Sequence, residues 1–217
     1  MIRARLLAPL LFCAVAVTAS AQAPYGLVSS PRMKHDQGDS WTYVKPGLNL
    51  ARYRGVSVDT VGLYAGSDAE FGSATPDERR KYANLLGEAV RAALGKSVPI
   101  VARGAKGTLR LKLTLLGVKK TIGGVATATR VTPIGLATSA LKSARGKKGT
   151  LSGSVLFAAE LLDGATGEVQ VAAIRRRAPD ALDIPATLST GDTVKAVGRA
   201  VGGDIGKHLA SRLGHHA

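Results

Sequence analysis

The sequence predicts one α+β domain, built on a mainly antiparallel sheet in the order β-α-β-β-β-β-α with two helices packed on one face. Three observations lead there. TLRLKLTLLGV (108–118) alternates apolar and polar side chains, as a strand with one buried and one wet face does. TPDERRKYANLLGEAVRAALG (75–95) opens on a capping signal and keeps a helical apolar stripe. LSGSVLFAAELLDGATGEVQVAAIRRR (151–177) joins two alternating runs through a Gly-rich turn, which is a hairpin pattern. Hairpins with two helices available to cover one sheet face make a two-layer domain.

Taken in order, residues 24–45 (PYGLVSSPRMKHDQGDSWTYVK) show no sustained period and are rich in Pro, Ser, Gly and Asp. They read as a flexible N-terminal arm whose end is docked by Trp41 and Tyr43. The domain itself runs over 46–213, with 214–217 as a tail. A strand with partial alternation covers Val56 to Tyr64. In the first helix Thr75 caps, Pro76 fits the first turn and Glu78 completes the T-x-x-E box, while Gly95 ends it. VPIVAR (98–103) reads as a strand, and Pro99 argues that it lies at an edge or begins there.

In the hairpin, a three-residue turn Gly164-Ala165-Thr166 followed by a left-handed Gly167 sets Leu161 opposite Val169, Ala159 opposite Val171 and Phe157 opposite Ala173. Between the strands lies a long insert (121–149), rich in Gly, Ala and Thr, in which 134–144 could form a short amphipathic helix. The closing helix carries Val194, Val197, Val201, Ile205 and Leu209 on one stripe. Gly198, Gly202 and Gly206 repeat beside it. Each glycine costs a helix up to about 1 kcal/mol against alanine, so a close backbone approach, here to the sheet, is expected to offset it.

The chain opens MIRARLLAPLLFCAVAVTASAQA. Arg3 and Arg5, an apolar run and a small-residue A-Q-A site form a secretory signal over 1–23. The run is shorter than the ~20 residues a membrane span needs and contains Pro9. Cys13, the only cysteine, leaves with the signal. A lipid anchor there is not expected, because Phe12 stands where a lipobox wants a small residue. The expected location is therefore periplasmic or outer-membrane-associated. Net charge is +15 with 4% aromatics. In an exported protein poor in stacking residues this excludes nucleic acid and favours an anionic envelope surface (lipid, lipopolysaccharide or peptidoglycan) or an envelope protein.

Catalytic patterns are lacking. No G-x-S-x-G, H-E-x-x-H, Walker or G-x-G-x-x-G sequence occurs. His35, His208, His215 and His216 supply no metal set, and His208 sits beside the last helix's apolar stripe. The carboxylates Asp59, Asp68, Glu70, Glu160, Asp163, Glu168, Asp180 and Asp183 are scattered, and neither a catalytic residue nor a cofactor is expected. The one conspicuous feature is basic. Arg175, Arg176 and Arg177 end the hairpin, either as a solvated strand end or as an anionic-surface contact converging with Arg145, Lys147 and Lys148.

Pro46-Gly47-Leu48-Asn49-Leu50-Ala51-Arg52-Tyr53, the Leu115–Gly117 strand end, Val131-Thr132-Pro133-Ile134-Gly135 and Asp163-x-x-Thr166-Gly167-Glu168 together resemble a bacterial cell-envelope family, domain of unknown function 3313, over roughly 41–213. The resemblance implies a periplasmic or outer-membrane-associated α+β protein, often lipid-anchored, and brings no catalytic residues. Two functions follow as expectations: a non-enzymatic binding or assembly module working through the basic sheet end, or a hydrolase of an envelope polymer with an unrecognised site. A structural subunit with an apolar patch around the insert is a third.

Overall fold

The computed structural model describes residues 25–121, 153–180, 183, 186 and 188–214. The expected signal with Cys13, the insert beyond Thr121 and His215-His216 lie outside them. The sheet is mixed and seven-stranded, in the order β1-β2-β7-β6-β5-β3, with β4 also on β5. Its strands are β1 (Lys34–His35), β2 (Trp41–Val44), β3 (Val56–Val58), β4 (Gly62–Leu63), β5 (Leu109–Lys119), β6 (Ser154–Asp163) and β7 (Val169–Arg177). Helices α1 (Pro76–Leu94) and α2 (Thr190–Ala210) pack together over one face. The capping box closes as the sequence predicts: Glu78 N–H donates to the Thr75 hydroxyl, and the Glu78 carboxylate accepts from Thr75 N–H at 2.8 Å.

Several expectations change. The 56–64 strand breaks into β3 and β4, and both run parallel to β5. The crossover through α1 dictates this, since a strand, a covering helix and a return strand in one sheet come out parallel. The predicted strand 98–103 reduces to one bridge, Ile100 to Val56. Pro99 has no N–H to give, though its carbonyl accepts from Val56. The hairpin register moves too: Leu161 faces Val171, Ala159 faces Ala173 and Phe157 faces Arg175. The loop is one residue longer than expected, closing with Asp163 N–H on the Glu168 carbonyl, and a bulge between Leu161 and Leu162 adds another step. A two-residue shift keeps every side chain on its face, so the pattern concealed it.

The arm is built into the sheet. β2 pairs antiparallel with β7, and β1 folds back on β2. Residues 25–33 then cross the second sheet face, where Tyr25 and Met33 cover Leu116, Leu156, Ala158 and Ile174. β5 is consequently half-wet at Arg110 and Lys112, buried on both faces from Leu113 to Val118 and exposed again at Lys119. Gly198, Gly202 and Gly206 meet α1 rather than the sheet. A Cβ on Gly202 would lie 2.5 Å from the Val90 carbonyl oxygen, and one on Gly198 2.7 Å from the Ala89 Cβ. The pairing of 198 with 89, 202 with 90 and 206 with 97 makes the two helices parallel.

Candidate functional site

The arginine run occupies the last three positions of β7, and its members diverge as strand alternation requires. Arg175 donates to the Trp41 carbonyl at 2.8 Å, the Thr42 hydroxyl at 2.6 Å and Asp36 at 3.0 Å. The Thr42 hydroxyl, with Arg175 behind it, holds the Asp36 carboxyl below its ordinary range. Arg176 points to the arm side, between Asp39 and Glu70. Arg177 reaches Asp204 of α2 at 2.7 Å. Each guanidinium thus has a carboxylate of its own. Arg145, Lys147 and Lys148, expected to converge with them, lie outside the described residues.

The carboxylates likewise have structural work. Asp163 binds the hairpin turn and the segment before β3 together. One oxygen accepts from the N–H groups of Thr166 at 2.9 Å and Ala165 at 3.0 Å; the other accepts from the Tyr53 hydroxyl at 2.8 Å and Arg52 at 2.9 Å. The Thr166 N–H first, then the Tyr53 hydroxyl and the remaining donors, outweigh burial and hold this carboxyl well below its usual range. Burial, then the bond to Asp163, pushes the Tyr53 phenol up to about 12. Lys45 pairs with Glu168 at 2.5 Å across the same junction. Glu160, buried on the arm side, accepts from the Ser29 hydroxyl at 2.6 Å, and its other oxygen lies 3.1 Å from Lys112 without hydrogen-bond alignment. Among the described residues no group of three or more His, Cys, Asp or Glu is placed to hold a metal ion.

The feature that sequence reading misses is a cleft of about 360 Å³ between the helix-side sheet face and the C-terminal half of α2. Leu111, Ala159, Leu161, Val171 and Ala173 floor it from three strands. Leu48 and Leu50 wall one side and Ile205 and Leu209 the other, and Val44, 56% exposed, stands at its edge. Among the described residues its polar lining comes from Asp204, His208 and Arg212, on α2 and the turn after it, at four-residue steps along one flank. Asp204 is the partner of Arg177, whereas no carboxylate among the described residues pairs with Arg212. The cleft exists because the helix pair sits over β3, β5 and β6, while the arm widens the sheet by β2 and β1 beyond their reach. Its signal in the sequence is faint: small Ala159 and Ala173 on an inward face where larger residues would fill the space.

Fold and site together define an α+β domain with an apolar cleft between the sheet and α2, edged by Asp204, His208 and Arg212. The chain belongs to the family described as "Protein of unknown function (DUF3313)", whose family model matches residues 25–205, arm included. Solved structures it is similar to include the PelC dodecamer from Paraburkholderia phytofirmans, at 16% identity, 76% of this chain, 97% of that chain and a TM-score of 0.38. Another is a protein from Xanthomonas campestris of the family DUF330, at 13% identity, 77% of this chain, 93% of that chain and a TM-score of 0.39. No curated protein matches.

Proposed function

We propose that the protein is an exported, non-enzymatic binding module whose cleft takes the hydrocarbon chain of an anionic amphiphile. The observation that carries this is the lining: an apolar floor and walls, with His208, Arg212 and Asp204 along one flank, where Asp204 is neutralised by Arg177 and Arg212 has no ion pair among the described residues. A volume of about 360 Å³ falls in the range of roughly 300–1,000 Å³ usual for small-molecule sites. Apolar lining supplies affinity without selecting a head group, and the rim cation supplies the selection. The signal-like start supports the exported part of the reading. At the basic sheet end the described arginines are already matched by carboxylates, so the cleft is the better-supported site.

The test is calorimetric titration with dodecanoate and with uncharged dodecyl maltoside. Saturable dodecanoate binding is expected, lost in Ala173→Leu, which fills the floor, and weakened about tenfold in Arg212→Gln, the cost of one charge-assisted contact. Absence of saturable binding, or equal affinity in the filled variant, would sink the reading.

A further inference from the structure

The other flank of α2 carries a second surface. Lys195, Arg199 and Lys207 stand at four-residue steps, with Gly203 in the missing place, and Lys96 lies just past the end of α1 beside them. These four cations border a trough of about 550 Å³ between the helices, lined by Ala89, Ala92 and Ala93 with Leu85 and Ser97, and its one acid among the described residues is Glu88. Arg199 has Asp183 at 3.9 Å, the outer limit of an ion pair. Among the described residues no carboxylate pairs with Lys96, Lys195 or Lys207.

We infer that this α1–α2 face docks on the surface of an anionic lipid bilayer. Its shape comes from the helix contact. Because Gly198, Gly202 and Gly206 let the helices approach to where a Cβ would collide, the two helices share one face, with the trough between them. Ala89, Ala92 and Ala93 lie between them, and Lys96, Lys195, Arg199 and Lys207 are all exposed. From Lys195 to Lys207 they extend about 18 Å along α2, at 1.5 Å per residue. A broad row of cations over small apolar residues suits a flat array of phosphates, where long basic side chains lay their stems on the protein and keep their charges outward. The strand-end arginines offer no such face, since their charges are spent on Asp36, Asp39, Glu70 and Asp204. The inference goes beyond the cleft and does not need it occupied.

Co-sedimentation of the purified protein with phosphatidylcholine vesicles, with and without one-third phosphatidylglycerol, tests it across a salt series. Binding should require phosphatidylglycerol and fade with salt. It should fall on the order of 100-fold in the triple variant Lys96, Lys195 and Lys207→Gln, at roughly fivefold per cation. These exposed lysines hold nothing together, so the variant should keep the wild-type urea midpoint and the wild-type dodecanoate titration. Full binding by that variant, no binding to anionic vesicles, or loss in Arg175 and Arg177→Gln instead would each overturn the inference. So would capture by dextran sulfate without capture by vesicles, which would indicate a polyanionic chain as the partner.

Discussion

Asp163 shows how much one side chain can carry. It closes the turn of the hairpin through Thr166 and Ala165 and anchors the segment ahead of β3 through Tyr53 and Arg52. Two of the short stretches that resemble the family, Arg52-Tyr53 and Asp163-x-x-Thr166, are thereby two halves of one junction. Asp163→Asn keeps the shape but removes the charge, and should cost roughly 1.5–3 kcal/mol in urea unfolding, as for a buried charge-assisted bond. The pH dependence has a definite sign. The folded carboxyl titrates below the unfolded one, so its contribution is complete above the unfolded value near 3.9 and disappears as pH falls through the depressed folded value. The stability gap between wild type and Asp163→Asn should therefore be constant near neutrality and close on acidification below about pH 4. A gap that stays constant through that window would show that Asp163 acts by shape alone.

At the scale of elements, neighbouring glycines of α2 make opposite demands. Gly202 lies against α1, with the Val90 carbonyl 2.5 Å from where a Cβ would be, whereas Gly203 has nothing within 4 Å. Gly203→Ala should stabilise the protein by roughly 0.5–1 kcal/mol through helix propensity alone. Gly202→Ala gains the same propensity but must push the helices apart, and should be net destabilising by about 1–3 kcal/mol. Urea midpoints of the two variants, measured side by side, decide it; both moving up would mean that the helix contact yields easily. The four-residue glycine repeat was visible in the sequence, yet its partner was not, because spacing along one helix does not say whether a sheet or a second helix fills the notch. Helix α1 was legible for the converse reason. Its cap, stripe and stop are local signals, and Thr75, Glu78 and Gly95 stand at their expected places. What escaped local reading depends on distant partners: the parallel β3 and β4, the bulge after Leu161, and a four-residue β2 too short to show a period.

On the scale of the whole molecule, the three arginines act as ties between layers that the sequence places far apart. Arg175 and Arg176 hold the β1–β2 turn through Asp36 and Asp39, Arg176 also grips Glu70 ahead of α1, and Arg177 clasps α2 at the cleft through Asp204. A run of like charge looks like a binding patch in one dimension, because its acids enter from the arm, the loop before α1 and α2. The cleft was hidden for the same reason: its floor and walls come from β5, β6, β7, α2 and the Leu48–Leu50 segment, and no window of sequence holds more than a few of them. The tie can be broken selectively. Arg175→Gln with Arg176→Gln should lower global stability by only about 1 kcal/mol, since partly exposed pairs contribute little each. The local effect should be larger, with amide exchange rising and proteolysis appearing across residues 34–43 while β5, β6 and α1 stay protected. If the arm stays protected in that double variant, Ser29 on Glu160 and Tyr25 on Glu70 suffice to hold it, and the two arginines are not its ties.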